Sequence, residues 1–207
     1  MRILGGRQTR LKKKLPLPGA FLFCGCNNFR LSSSIDDLIS PISPSGDNAG
    51  VQSAVDEYCK GGYSIKIPAT GKYTTSFILK DIDGDKISEA VAFYEPSNKI
   101  GTISMAIIKK SGDKWSVVSN IEGTATDVNS VDFCDFNNDG KMEIIVCWSV
   151  VSKLTGTSIN VYSQNENNGA YSLQAVSKAI TGSDFICVDV NDDGVKDLLV
   201  FATGTSS

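Results

Sequence analysis

Acidic and amide side chains recur in three stretches of this sequence with the same internal spacing. The stretches are DIDGDKISE at 81–89, DFNNDGKME at 135–143 and DVNDDGVKD at 189–197, here called the first, second and third acidic loops. Side-chain oxygen stands at the first, third, fifth and ninth residue of each loop: Asp81, Asp83, Asp85 and Glu89, then Asp135, Asn137, Asp139 and Glu143, then Asp189, Asn191, Asp193 and Asp197. The seventh residues, Ile87, Lys141 and Val195, would each add a backbone carbonyl. With water, each set reaches the about six to eight oxygen ligands of calcium and is too large and flexible to favour magnesium, so the spacing predicts calcium sites.

The sixth residue of each loop bears on how well it could close around an ion. Gly140 and Gly194 stand there in the second and third loops, where a tight turn needs left-handed backbone. The first loop has Lys86, so it must strain a non-glycine residue or take another path. We therefore expect the second and third loops to be the better sites, and the sequence leaves open whether the first loop binds metal.

An EF-hand and a metal-free turn are the alternatives to a calcium site of this kind. An EF-hand opens in the same way but requires glutamate at its twelfth residue and a helix on each side. The twelfth residues here are Ala92, Val146 and Val200, which excludes it. A metal-free turn, in which Asp and Asn side chains accept hydrogen bonds from their own backbone, is the simpler alternative for any one loop. Three equivalent loops favour the metal.

The acidic loops recur at a constant period, because Asp81, Asp135 and Asp189 are each 54 residues apart. Short apolar or alternating runs bounded by Gly, Asn, Asp and Ser flank them, as is typical of strands. We predict strands near 75–81, 89–95, 101–109, 115–121, 129–135, 143–150, 157–163, 171–177, 184–189 and 197–203. Each period then holds four strands, so the predicted fold class is all-β, with four-stranded antiparallel blades of a partial β-propeller.

One short helix is predicted ahead of the repeats, because apolar residues follow Asp47 at helical spacing. The predicted organisation is a signal segment at 1–25, a flexible tether at 26–50, the helix and lead-in at 51–73, and repeats at 74–207 that supply two blades and half of a third. Propellers close with about 4 to 8 blades. We therefore expect these residues to belong to a longer protein, with a truncated gene model or a sandwich-like partial assembly as alternatives.

The first 25 residues have the composition of an export signal. Six basic residues precede position 15, no acid precedes Asp36, and a short apolar run ends at Gly25 before Cys26. The arrangement looks like a bacterial lipoprotein signal, in which Cys26 would carry the lipid. That would place the protein on the outer face of the cell membrane; a plain secretory signal and a soluble basic tail are the alternatives. The remainder is acidic, which argues against nucleic acid as a partner.

Together, the loops and their flanking strands over residues 75–203 resemble the FG-GAP or VCBS-type repeats of integrin-like β-propellers. The resemblance implies a calcium loop between the first two strands of each blade, often in exported or surface-anchored proteins. The family includes adhesion and ligand-binding proteins and carbohydrate-active proteins, so the resemblance does not select a substrate. We expect a protein or glycan ligand and a structural role for Ca²⁺. The alternative is the N-terminal part of a carbohydrate-processing enzyme whose catalytic residues lie beyond this chain.

Catalysis by this chain itself is not expected. The sequence contains no histidine, and the usual nucleophile and nucleotide motifs are lacking. Cys134, Cys147 and Cys187 lie in apolar runs, which predicts buried thiols rather than disulfides. Trp115 and Trp148 are expected to fill blade cores. The aromatic residues beside the loops, Tyr94, Phe133, Phe185 and Phe201, are expected to pack between blades.

Overall fold

The computed structural model of the chain describes residues 46–123, 125–150, 156–167, 170–175 and 180–201. The predicted signal segment, Cys26 and most of the predicted tether lie outside these residues. Within these residues, one helix and twelve strands follow in chain order: α1 (Asp47–Tyr58), β1 (Tyr63–Lys66), β2 (Phe77–Lys80), β3 (Glu89–Pro96), β4 (Ile103–Ser111), β5 (Lys114–Gly123), β6 (Asp127–Cys134), β7 (Glu143–Ser149), β8 (Thr157–Asn167), β9 (Ala170–Ala175), β10 (Ile180–Thr181), β11 (Asp184–Val188) and β12 (Asp197–Phe201). Within the described residues, no helix is both long and apolar enough to cross a membrane.

The strands form three antiparallel sheets, here called sheet 1 (β1–β5), sheet 2 (β6–β10) and sheet 3 (β11 and β12). From β2 to β5 and from β6 to β9, each strand pairs with the next strand in the chain, as the strand spacing in the sequence predicts. Sheet 3 holds the pair that flanks the third acidic loop. The predicted all-β fold class, with antiparallel propeller-like sheets preceded by one helix, is confirmed.

Two short strands, β1 and β10, were not predicted from the sequence. β1 and β2 both pair with β3, at opposite ends, so the first strand of sheet 1 is split where sheet 2 has the continuous β6. The residues between β1 and β2 lie along β6, because Ala69 and Thr70 donate their N–H groups to the carbonyls of Val128 and Asn129 at 3.1 and 2.8 Å. The second unpredicted strand, β10, pairs with β8. The split strand therefore joins sheet 1 to the edge of sheet 2.

Helix α1 covers the outer face of sheet 1. Its buried residues Val51 and Val55 pack with Tyr94 and Trp115 in one apolar cluster. Gly50 lies so close to the Trp115 ring that an added Cβ would be 2.3 Å from Cδ1. The helix begins at Asp47, so the last residues of the predicted tether are helical; contacts with sheet 1 explain the earlier start. In repeat arrays, a terminal element of this kind caps an apolar face that would otherwise be exposed.

The largest apolar cluster lies between sheets 1 and 2. Phe93 of β3 and Trp148 of β7 meet edge to face with ring centroids 5.7 Å apart, and the Trp148 indole N–H donates to the Tyr162 hydroxyl at 3.1 Å. Trp115 and Trp148 are thus both core residues, as predicted. Phe133 packs against this cluster and meets Tyr73 edge to face at 5.1 Å.

A third apolar cluster joins sheet 2 to sheet 3. Phe185, Cys134 and Cys147 are buried there and Cys187 packs against them. All three repeat cysteines are free thiols in the structure, in agreement with the sequence. The prediction that Phe201 packs between blades is wrong for the described residues, because its side chain is 48% exposed. It lies on the open face of sheet 3, where no described element covers it.

Candidate metal site

Each acidic loop connects two strands that pair with each other in an antiparallel sheet. The first loop joins β2 to β3, the second joins β6 to β7, and the third joins β11 to β12. Antiparallel pairing of these strands brings the first and ninth residues of a loop to the same end of the sheet, as in the cross-strand pair Cys134 and Glu143 beside the second loop. Local pairing therefore brings together the acids that the sequence predicted as ligands.

The first, third and fifth residues hold the loops in one shape. The carboxylate of the first residue accepts the backbone N–H of the sixth, at 3.0 Å for Asp81 and 2.9 Å for both Asp135 and Asp189. The third residue accepts the N–H of the fifth, at 3.3, 3.0 and 3.2 Å in the three loops. The fifth residue accepts the N–H of the seventh, at 2.7, 2.8 and 2.8 Å. The seventh residues, Ile87, Lys141 and Val195, are therefore fixed through their N–H groups.

The ninth residue closes each loop. Glu89 accepts the N–H of Ile82 at 3.0 Å, and Glu143 and Asp197 accept the corresponding N–H groups of Phe136 and Val190 at 2.9 and 3.1 Å. Glu89 and Glu143 are buried, at 1% and 7% exposure. Asp197 is exposed. In all three repeats, an acidic residue at the ninth position therefore links the end of the loop to its beginning by a hydrogen bond.

Left-handed backbone occurs at two positions of each loop. At the sixth residue, Lys86, Gly140 and Gly194 have φ of 72°, 84° and 87°. Lys86 thus follows the path of the glycines, which resolves the question left by the sequence in favour of strain at a non-glycine residue. The fourth residues, Gly84, Asn138 and Asp192, have φ of 81°, 56° and 62°. Gly, Asn and Asp are the residue types that tolerate this region best, a signal that the predicted ligand spacing did not include.

Neighbouring loops contact each other in the same way. A Cβ added to Gly84 would be 2.6 Å from the carbonyl oxygen of Gly140, and the Asn138 side chain donates to the carbonyl of Gly194 at 3.5 Å. In both cases, the fourth residue of one loop approaches the sixth residue of the next. In addition, Met142 donates its N–H to the Ile82 carbonyl at 2.8 Å. The loops therefore form a continuous row along one end of the sheets.

A lysine from β4 contacts the first loop. Lys109 of β4 donates to Asp83 Oδ2, and its Nζ lies 3.7 Å from Glu89 Oε1 and 4.0 Å from Asp85 Oδ2. Burial acts to lower the pKa of Lys109, but the hydrogen bond and the nearby carboxylates outweigh it and raise that pKa. Burial raises the pKa of Glu89, against the effects of the Ile82 N–H and Lys109. Lys109 was not identified from the sequence, because it is 26 residues from Asp83.

The oxygen atoms of the first loop have the type and the spacing that a cation requires. One carboxylate oxygen from each of Asp81, Asp83 and Glu89 lies within 4.8 Å of the others. Calcium binds oxygen at about 2.3–2.6 Å, so two oxygens on one ion are separated by up to about 5 Å. In the second and third loops, the amide of the third residue lies beside the carboxylate of the fifth, at 3.1 Å from Asn137 to Asp139 and 2.9 Å from Asn191 to Asp193. Cys26, the predicted lipid site, lies outside the described residues.

Comparison with known families finds one matching segment. Residues 81–146 match the model of the FG-GAP-like repeat. The matched segment begins at the first residue of the first loop, includes the whole second loop, and ends within β7. A comparison with curated protein sequences finds no match. The match thus covers one full period of the repeat that the acidic loops define.

Proposed function

Because residues 81–146 match the FG-GAP-like repeat, we propose that the chain is a calcium-binding, propeller-like module on the outer face of a bacterial cell membrane. The observation that carries the proposal is the repetition of one loop design. Three loops at a 54-residue period present oxygen at the same four positions, and their backbone hydrogen bonds are equivalent. In the second and third loops, the ninth acid accepts a backbone N–H through one carboxylate oxygen, and its other oxygen is the proposed ligand.

The role of calcium in this proposal is structural. Each loop collects several carboxylates that repel one another in the absence of a counter-charge. In the second loop the carboxylates belong to Asp135, Asp139 and Glu143, and Glu143 is almost fully buried. A bound ion would supply the positive charge, while the protein holds the oxygens in place through the backbone N–H groups. Because the loops contact their neighbours, ordering one loop supports the next.

Surface display and ligand binding complete the proposed function. The lipid on Cys26 would anchor the chain, and residues 27–46 would separate the sheets from the membrane. The ligand is a protein or a glycan, bound by a module without catalytic activity of its own. Support comes from the export-type start of the sequence and from the classes of protein that the repeat resembles. A glycan array read in calcium and in chelator tests the glycan directly.

Calcium binding is tested by calorimetric titration of the protein with CaCl₂ and by thermal melting in calcium and in chelator. We expect more than one ion per chain. At a hundredfold excess over Kd, each site adds about 2.7 kcal/mol to the free energy of unfolding. For a chain of this size, that corresponds to a rise in Tm of about 5–10 °C.

Two substitutions provide the comparison. Asp139→Asn removes a charge from the second loop and should abolish one site. Asp113→Asn removes a charge from the exposed β4–β5 turn, and should leave the number of sites unchanged. Absence of binding heat, together with a Tm that is the same in calcium and chelator, would contradict the proposal.

A further inference from the structure

We propose that the first acidic loop carries its own cation: the ammonium group of Lys109 takes the place of a metal ion, so this loop holds its shape without calcium. The inference rests on the proposed function for the second and third loops. It divides three loops of one design into two classes, one neutralised by a side chain and one that takes calcium.

The ammonium group of Lys109 lies among the predicted ligands of the first loop. Lys109 contacts Asp83 by a hydrogen bond, and its Nζ lies within 4.0 Å of Asp85 and Glu89. These residues are the third, fifth and ninth of the loop, three of its four predicted side-chain ligands. A lysine that paired with a single surface acid would not be expected to lie this close to all three side chains. The ammonium group therefore supplies positive charge to three of the side chains that an ion would contact.

Space and burial also favour the lysine over an ion in this loop. The side chains of Asp83 and Glu89 are only 8% and 1% exposed, and that of Lys109 is 26% exposed. A calcium ion must approach oxygen to about 2.3–2.6 Å. At Asp83 and Glu89 it would meet the ammonium group, and two cations in so confined a space repel each other strongly. Calcium could enter only if the Lys109 side chain left.

The repeat itself supports the same assignment. Moving 54 residues along the sequence converts Asp83 to Asn137 and Lys109 to Ser163. The equivalence is structural as well, because Ile108 pairs with Ala90 in sheet 1 as Tyr162 pairs with Ile144 in sheet 2. The acid Asp83 in the first loop and the base Lys109 beside it thus correspond to two neutral residues in and beside the second loop. Lys109 thus accompanies the additional carboxylate of Asp83, and the neutral Ser163 accompanies Asn137.

A simpler role for Lys109 would be to balance Asp83 alone, with calcium still bound to the remaining oxygens. The distances to Asp85 and Glu89 count against that role. The two roles also differ in a consequence for the whole chain. If Lys109 supplies the cation of the first loop, withdrawal of calcium loosens the second and third loops more than it loosens the first loop, β2 and β3.

The test is calorimetric titration with CaCl₂ of three full-length proteins: the wild type, Lys109→Ser and Ser163→Lys. The two variants exchange the residues of equivalent positions, so each is a control for the other. We expect two ions per wild-type chain, three per Lys109→Ser chain and one per Ser163→Lys chain. In chelator, Lys109→Ser should have a lower Tm than the wild type, and calcium should restore it.

The outcomes separate this inference from the proposed function. Three ions in the wild type, or an unchanged number in Lys109→Ser, overturns the inference and leaves calcium binding intact. If the wild type binds no ion, the proposed function is contradicted for the second and third loops. In that case, one ion bound by Lys109→Ser would still support the inference, and the absence of any bound ion in Lys109→Ser would overturn it. If Lys109→Ser does not fold, Lys109→Met keeps the apolar stem of the side chain and is titrated in its place.

Discussion

Replacing Lys86 by glycine should stabilise the protein. Lys86 has a φ of 72°, in the left-handed region, and its exposed side chain is in none of the ion pairs between described residues. Its backbone N–H donates to Asp81 at 3.0 Å, and glycine would keep this bond. The equivalent residues Gly140 and Gly194 have φ of 84° and 87°. The substitution therefore changes backbone strain and little else.

The expected gain follows from two opposing effects. Left-handed backbone costs a non-glycine residue about 1–2 kcal/mol. Glycine removes that strain but makes the unfolded chain more flexible, which lowers the free energy of unfolding by about 0.5–1 kcal/mol. The net increase in the free energy of unfolding for Lys86→Gly is then about 0.5–1 kcal/mol. In a chain of this length, the rise in Tm is about 1–4 °C.

The assay is urea and thermal unfolding in chelator, so that metal binding does not contribute. Lys86→Ala is the control, because it removes the side chain and keeps the strain; its stability should match that of the wild type. Gly140→Lys makes the reverse change and should destabilise by a similar amount, about 1 kcal/mol. Lys86→Gly with unchanged or reduced stability would refute the reasoning, and so would equal gains from glycine and alanine.

Two further predictions concern cysteines. Burial, with Cys134 and Asp132 nearby, raises the pKa of the Cys187 thiol to about 12. At pH 8, alkylation of Cys187 should therefore be about two to three orders of magnitude slower in the folded protein than in urea. The rates are measured by mass spectrometry of the peptide that contains Cys187, and equal rates would contradict this placement. Cys26→Ala should move the full chain from the membrane fraction to the soluble or secreted fraction in a bacterial host, because the lipid anchor is lost; an unchanged distribution would exclude the anchor.

Much of the fold could be predicted because its signals are local. Glu89, Glu143 and Asp197 each begin a strand at the predicted position, since a continuous apolar run follows each loop. The strand ends were less accurate, as in β8, which extends to Asn167 rather than 163. β1 and β10 could not be found in this way, because strands of four and two residues carry no period and exist through pairing with β3 and β8.

The candidate site was predictable in part for the same reason. The acids of a loop are close in sequence, so their type and spacing reveal them as possible ligands. The fourth residues were missed because left-handed backbone is tolerated by Gly, Asn and Asp alike and has no single sequence signal. The contact of Gly84 with Gly140 was also invisible, since it forms between the loops of two sheets. The residue types of Gly84 and Gly140 alone do not indicate that their backbones lie close together.

By itself, the sequence determined the repeat, the antiparallel strand order and the residues that could bind an ion, because each depends on interactions within one period. Only the tertiary structure decided what surrounds them. Pairing of β3 with β4 brings Lys109 to Asp83 across 26 residues, and packing places α1 over the outer face of sheet 1. The physical reason is that charge balance and burial depend on neighbours in space, which a local pattern does not specify.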